Sequence, residues 1–533
     1  METSRRLTLD TKLSWFQTKQ FRLFLFVLIL TVGMLVRLVG LGAMPEGVEQ
    51  DEAMAAYQAY TTLTEGIDLH GYHNPVYFEA WGNGMNALEI YLMIPMIQLF
   101  GFTDFAIRLP QAIVACFSIP VFYLLIKRIF DQKAAFIGMF LLAINPWHIM
   151  MSRWALESNL APAFLLFGLY FFILALEKHP AYYLLSAFFY GLSLYTYAIV
   201  WVVVPLVLLL QILYALLTKR ARITWYTSGF VVICGLMALP LLLLVVVNLH
   251  YIPEIKTALF SIPELGSWRG RDLSLGNLTN LQSFTRLFTM LTTQNEGNIR
   301  ASFPQFGFYY LFSLPLMLLG LVRVVRDCVS LWKRRVHALE TYVLIQLFAA
   351  LVAALLLNEI NANRVNALHI PLILLCAIGV REICNLNWKL AGQALVALYC
   401  VCFLAFTGLY FGDGQTQLAG YYRPGTREAI AYAQELTDDT IVCRMHGRYS
   451  IVLYYTKMPL DRYFSTIQYQ EEHSPEPASI DQFKFESPHD SSTGKPVYLV
   501  EGEAATLYSA AGYTIVPFNS MAVAYLPGEV GGQ

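Results

Sequence analysis

The sequence predicts an α-helical multi-span membrane protein with about 11 transmembrane helices. Interfacial helices are expected in its first external loop, and a small external α/β domain at its C-terminus. Three observations predict this. The 533 residues are 57% hydrophobic and only 14% charged, against roughly 25% charged in soluble chains. Eleven apolar runs approach the ~20 residues that a helix needs to cross a bilayer. Lys and Arg collect on alternate connections between these runs, as the positive-inside bias requires. Lys+Arg number 36 and Asp+Glu 37, a net charge of -1. That excludes a soluble globular chain, a disordered or fibrous one, and a nucleic-acid binder that relies on bulk positive charge.

The elements follow in order. Residues 1–20, with Arg5, Arg6, Lys12 and Lys19, form a cytoplasmic segment. The transmembrane domain, 21–412, has runs near 21–43, 108–127, 134–151, 160–177, 181–197, 198–217, 224–247, 304–322, 338–357, 366–383 and 389–411. The first run is too long for a signal-peptide core and has no small-residue cleavage site after it. Residues 85–100 form a short apolar run interrupted by Glu89 and Pro95. If that run lies along the interface, the clusters Lys127 to Lys133, Lys219 to Arg222 and Arg323 to Arg335 all fall on the cytoplasmic side. If it spans, they all move outside, so the interfacial reading is preferred. Loops 44–107 and 248–303 are then external, and so is the tail from 413. The expected location is the cell membrane, with a cytoplasmic N-terminus and an extracytoplasmic C-terminal domain.

The tail, 413–533, mixes patterns. Arg427 to Leu436 reads as an amphipathic helix, and Thr440–Arg444, Pro496–Glu501, Tyr513–Pro517 and Met521–Leu526 as strands. It shows no nucleotide loop. The eight cysteines form no disulfide framework or zinc spacing, and Cys400 and Cys402 read as buried small hydrophobes. There is no repeat of the kind that secondary transporters show.

Candidate chemistry concentrates on the external side. Loop 44–107 has no Lys or Arg and carries the adjacent pair Asp51-Glu52 about ten residues past the first span. Neighbours on a helix do not share a face, so the two acids have different tasks. An acidic pair at a helix start also serves as an N-cap, and capping and catalysis are compatible. Arg108 opens the second span on the outer side, against the positive-inside bias; it suits a phosphate at headgroup depth or simply snorkels. Arg153 and Glu157 stand at i, i+4 after the third span and can form a helical pair. Asn361, Asn363, Arg364, Asn366 and His369 open the tenth run, where polar groups must be satisfied or line a cavity. His148 and His369, taken singly, also fit packed histidines. His70 and His73 are weak evidence for a metal. Acids from one loop and cations from the ends of three spans describe an outer-leaflet cavity with a carboxylate pole and a phosphate pole.

On these residues the chain resembles the multi-span (GT-C) glycosyltransferases that take sugar from a polyprenyl-phosphate donor. That class includes the dolichyl-phosphate-mannose protein mannosyltransferases and the aminoarabinose lipid A transferases. The resemblance is carried by Asp51-Glu52, the RLP stretch at Arg108, SRWALE from Ser152 to Glu157, and RVNALHIP from Arg364 to Pro371. It covers the first 200 residues best and the tail hardly at all. The mannosyltransferases have Asp where this chain has Glu157. The resemblance implies a GT-C fold and an inverting transfer with Asp51 as base beside Glu52. It implies Arg108 near the donor phosphate, and Arg153 and Arg364, the other cations at the outer ends of spans, are expected to bind it too. Substrate contacts are expected from Glu157, Tyr57, His73, Asn361, Asn363, His369, Arg269 and Arg271. No cofactor or metal is expected from the mannosyltransferase branch, whereas the oligosaccharyl branch uses one. The expected partners are a polyprenyl-phosphate-linked sugar, membrane lipid, and a lipid, protein or cell-wall glycan acceptor. A phosphate leaving group needs no general acid, so one base suffices and gives inversion. The competing readings are a polymerase or ligase of lipid-linked glycans, and a transporter or flippase of lipid-linked sugars.

Overall fold

The computed structural model describes residues 18–221, 223–267, 273–386, 389–471, 474–490 and 492–528. The chain opens with α1 (Lys19–Leu38), and the first loop supplies α2 (Gln50–Thr64), the strand pair β1 (Tyr77–Phe78) and β2 (Met85–Asn86), and α3 (Ala87–Phe100). Next come α4 (Asp104–Ile129), α5 (Gln132–Ala143), α6 (Pro146–Met151) and the 3₁₀ turn Glu157–Leu160. The bundle continues with α7 (Ala161–Glu177), α8 (Tyr182–Ser193), α9 (Val200–Leu217) and α10 (Trp225–Asn248). The second long loop holds the hairpin β3 (Ile255–Lys256) and β4 (Ser261–Ile262), and α11 (Leu281–Thr293). The bundle closes with α12 (Ser313–Lys333), α13 (Glu340–Leu356), α14 (His369–Asn385) and α15 (Lys389–Tyr410).

Every expected run meets a helix. Among the described residues, seven helices are long and apolar enough to cross a membrane: Lys19–Leu38, Asp104–Ile129, Glu157–Glu177, Val200–Leu217, Trp225–Asn248, Asn366–Asn385 and Leu390–Tyr410. The others depart from expectation for local reasons. The run 134–151 is broken, because the Asn145 side chain accepts the His148 N–H (2.9 Å) and Pro146 starts a new helix there. The run 304–322 is displaced: its first residues form turns through Gly307 and Tyr310 at positive φ, and the helix starts at Ser313. Its cationic end stays helical with an Arg323–Asp327 pair at 2.9 Å. Helices α12 and α14 cross closely, since a Cβ on Gly320 would lie 1.8 Å from the Leu375 carbonyl and one on Gly379 would lie 1.9 Å from that of Leu316.

The tail adds α16 (Gly414–Tyr422), α17 (Thr426–Leu436), β5 (Ile441–Arg444), α18 (Arg448–Thr456) and α19 (Leu460–Thr466). It ends with β6 (Ser479–Ile480), β7 (Phe483–Phe485), β8 (Val497–Glu501), α20 (Ala505–Ala510), β9 (Thr514–Phe518) and β10 (Met521–Tyr525). The helix and four strands expected there are all present. The sheet order is β6-β7-β5-β8-β10-β9, with β5 parallel to β7 and β8 and the other pairs antiparallel. Side chains alternate along β5. Ile441 and Cys443 join one apolar core, and Val442 the other.

The first of those cores does not belong to the tail alone. It also contains Val48, Ala53, Tyr57, Phe78, Ile90 and Met93 from the first loop. Expectation set loop 44–107 in the transmembrane unit and the tail apart; the packing joins them. Tyr57 donates to the Met458 carbonyl (2.6 Å) and Tyr454 to Asp104 (2.7 Å). The first loop, the 152–160 connector, the second loop, residues 358–368 and the tail therefore gather at one end of the bundle.

Candidate functional site

The site is built on the start of α2. Glu49 is its N-cap, and a capping box closes it: the Glu49 carboxylate accepts the Asp51 N–H (2.8 Å), and the Glu52 carboxylate accepts the Glu49 N–H (3.2 Å). Capping thus falls to Glu49 rather than Asp51. Asp51, half-buried, projects from a different side of the helix, because successive residues turn by ~100°.

Glu52 is completely buried and accepts from four donors. Besides Glu49, these are Arg108 Nε and Nη2 (both 2.8 Å) and the Ala155 N–H (2.9 Å). Arg108, equally buried, directs all five of its donors inward. Two go to Glu52, and the others to the carbonyls of Leu41 (3.4 Å), Pro45 (2.7 Å) and Gly47 (2.7 Å). Gly47 stands at φ +86°, where a Cβ would lie 2.1 Å from the Tyr422 carbonyl, so glycine is required. Arg108 was expected to hold phosphate; in the structure it holds the first loop to α4.

Arg153 behaves likewise. Its guanidinium donates to the carbonyls of Val36, Arg37, Gly40 and Met44 at 2.8–3.2 Å and lies 5.0 Å from the Phe411 ring centroid. It caps the C-terminal end of α1, where orphan carbonyls favour a cation. Arg153 does not pair with Glu157 as i, i+4 spacing suggests; the Glu157 carboxylate accepts the Asn86 N–H instead. The histidines are packed. Arg37 donates to His148 Nδ1 (2.7 Å), which leaves Nε2–H for Ser118 (3.1 Å). His369 is buried, stacked on Trp147 at 4.0 Å, and holds Tyr309 and the Ala362 carbonyl through its two nitrogens.

A second group of side chains faces this one. Arg300 Nη1 lies 2.6 Å from Glu49 Oε1, and its guanidinium sits 4.9 Å from the rings of both Trp154 and Tyr421. The Arg300 side chain is 20% exposed. Glu296, near enough to Arg300 for its charge to be felt, accepts the Ala362 N–H. There Asn361 accepts the Arg364 N–H (2.9 Å), Asn366 donates to the Ser158 carbonyl (2.9 Å), and Arg364 pairs with Glu359 at 3.6 Å with its side chain 25% exposed. Asn361, Asn363 and Arg364 thus come to the rim of the same region. Arg300 lies in the second long loop, where no local motif marks it, because its partner Glu49 is 251 residues away.

Some expected residues lie elsewhere. Tyr57 ties α2 to the tail. His73 is exposed, with Nδ1 2.9 Å from the Gly66 carbonyl. Arg269 and Arg271 fall outside the described residues. Among the described residues, no three His, Cys, Asp or Glu side chains form a group able to hold a metal ion.

Beside α3 an apolar groove of about 600 Å³ runs between α8, α9 and α10. Tyr190, Leu194, Trp201, Pro205, Phe230 and Gly235 line it. One end of it approaches the start of α3: the Leu88 N–H donates to the Tyr195 carbonyl (3.1 Å), next to the lining residue Leu194, and the Tyr77 ring lies 6.1 Å from that of the lining residue Trp201.

Residues 88–248 match the family described as "Dolichyl-phosphate-mannose-protein mannosyltransferase". A stretch of 193 residues is 29% identical to "Putative mannosyltransferase YkcB" of Bacillus subtilis (strain 168), covering 35% of this chain and 26% of that protein's length. Among solved structures, ArnT from Cupriavidus metallidurans in the apo state matches with a TM-score of 0.60 at 15% identity, covering 95% of this chain and 99% of that one. ArnT bound to undecaprenyl phosphate matches at 0.53 and 14%, with the same coverage. The Archaeoglobus fulgidus oligosaccharyltransferase in the apo form matches at 0.51 and 14%, covering 93% of this chain and 72% of that one. The chain has the GT-C membrane fold, and its sequence is similar to the mannosyltransferases over α3 to α10.

The two adjacent acids differ in what they hold together. Glu52→Gln leaves Arg108 buried without its counter-charge and is expected to cost about 3–5 kcal/mol of stability. Asp51→Asn is expected to stay near wild type. Unfolding of both purified variants in detergent checks this; equal losses would contradict the division.

Proposed function

We propose that this protein is a membrane glycosyltransferase that moves a sugar from a polyprenyl-phosphate donor to an acceptor hydroxyl, on the extracytoplasmic face, with inversion. The observation that carries the reading is the division of labour at the start of α2. Glu52 is saturated by four donors, while the neighbouring carboxylate of Asp51 stands half-buried at the end of the bundle where the long loops meet.

In this reading Asp51 takes the proton of the acceptor hydroxyl as its oxygen bonds to the anomeric carbon. The bond from that carbon to the phosphate oxygen breaks, and its electron pair leaves with the polyprenyl phosphate. Arg300 and Arg364 stabilise the charge that builds there; both are cations at the rim with partly exposed side chains. Arg108 and Arg153 act through position, since their donors are consumed internally. A saturated Glu52 is no nucleophile, so the adjacent pair does not supply the two-carboxylate route to retention. The donor's isoprenoid chain occupies the apolar groove beside α3. The ArnT structure with undecaprenyl phosphate, and the match to the mannosyltransferases, support a donor of this class.

Asp51→Asn is expected to lower transfer from a polyprenyl-phosphate sugar by about 10²–10⁴-fold without unfolding the protein. Product formation by mass spectrometry reads it, and wild-type turnover would remove Asp51 from the role of base. Gly235 tests the groove. A Cβ there meets nothing within 4 Å and Gly235 lines the groove, so Gly235→Leu extends a side chain into it. The KM for a long-chain donor should rise about tenfold, equivalent to ~1.4 kcal/mol, and that for a short citronellyl donor should not. Equal effects on both would place the chain elsewhere.

A further inference from the structure

Two N-capping signatures stand in the first loop, and only one is closed. Glu49 and Glu52 make both reciprocal bonds at the start of α2. Asn86-Ala87-Leu88-Glu89 places a capping pair at the same spacing at the start of α3, with Asn86 as N-cap and Glu89 at the third helical position. Here neither bond forms. Asn86 makes no side-chain cap, and its N–H is given to Glu157. Asn86 and Glu89 are both 0% exposed. Yet Asn86 Oδ1 and Nδ2 and both Glu89 oxygens have no hydrogen-bond partner among the described residues. Ser158 Oγ and Trp154 Nε1 are in the same condition, and both flank Glu157. Buried polar groups are normally paired, and a pair that bypasses an available local cap is being held for something else.

The arrangement has a chemical signature. Asn86 offers one donor and one acceptor, Glu89 two oxygens, Ser158 a hydroxyl and Trp154 a donor. Such a set matches neighbouring hydroxyls, each of which donates and accepts. Burial, and then the charges of Glu52 and Glu157, push the Glu89 carboxyl up to about 8, so at neutral pH it also carries a proton to donate. These groups lie between the two parts of the site: Glu157 follows the turn whose Ala155 N–H is bound by Glu52, and the Leu88 N–H donates to the Tyr195 carbonyl beside the apolar groove.

We infer that Asn86 and Glu89, with Ser158, form the subsite that recognises vicinal hydroxyls of the donor sugar. This rests on the glycosyl-transfer reading for the carrier of that sugar, and its recognition can be tested without turnover. These side chains are closed to solvent, so a sugar reaches them when the start of α3 shifts against the Glu157–Leu160 turn.

The experiment uses the full chain in nanodiscs. It measures dissociation constants for citronellyl phosphate and for citronellyl phosphates bearing glucose, mannose or galactose and their monodeoxy forms. Wild type should bind at least one glycosylated probe about tenfold tighter than citronellyl phosphate and should reject one of its deoxy forms. The isosteric Glu89→Gln and Asn86→Asp, and Ser158→Ala, should lose that discrimination and leave citronellyl phosphate binding unchanged. Two results would overturn the subsite: no glycosylated probe gaining over citronellyl phosphate, or variants that keep the wild-type discrimination. An Asn86→Leu, Glu89→Met chain that is more stable and still discriminates would also overturn it, by showing the orphan groups to be structural only. If discrimination is present and sensitive to these residues but no acceptor is ever glycosylated, the subsite stands and the transfer reading falls.

Discussion

The buried pair between Glu52 and Arg108 holds the candidate site together. Charges removed from water are tolerated only when every donor and acceptor is satisfied. Here five donors meet two carboxylate oxygens and three carbonyls, and the same carboxylate takes two further N–H groups. One interaction thereby fixes the exit of α1, the first turn of α2, the first turns of α4 and the Ala155 turn. Arg153 repeats the device one layer away by gathering the carbonyls that end α1. Once these two arginines are spent on the backbone, the acid next to Glu52 is held in a defined place without capping its own helix.

This explains why the cations divide as they do. An arginine whose five donors all reach protein oxygens is a staple, and exchanging those partners for a phosphate would unpick the loop. Arg300 and Arg364 are different in kind. Arg300 pairs with Glu49 and Arg364 with Glu359, each side chain is partly open to the surface, and both lie near Glu296 and the 361–364 turn. The tail contributes by packing. It shares a core with α2 and α3 and bonds to Tyr57 and Asp104, so it braces the loop from above.

Much of the fold could be read from residue order. Hydropathy located eleven helical segments and the shorter apolar helix at Ala87–Phe100, and alternation found the strands at 441–444 and 497–501. What stayed hidden depends on distant partners. Asn145-Pro146 breaks a run that composition alone treats as continuous. The aromatic residues before Ser313 look like span but pack as turns around His369. At the site, Asp51-Glu52 was legible as a pair with two roles, but which acid is buried depends on Arg108, 56 residues on. Arg300 was invisible because Glu49 and the rings of Trp154 and Tyr421 reach it only in three dimensions. Asn86 and Glu89 spelled a helix cap, and only the structure shows the cap unmade.

The measurement that bears most directly on this account is a cryo-EM structure of the protein with a polyprenyl phosphate bound. The account predicts phosphate density within hydrogen-bond reach of Arg300 or Arg364, facing Asp51, with the Glu52–Arg108 pair unbroken. Phosphate inserted between Glu52 and Arg108, or bound at the opposite end of the bundle, would contradict it.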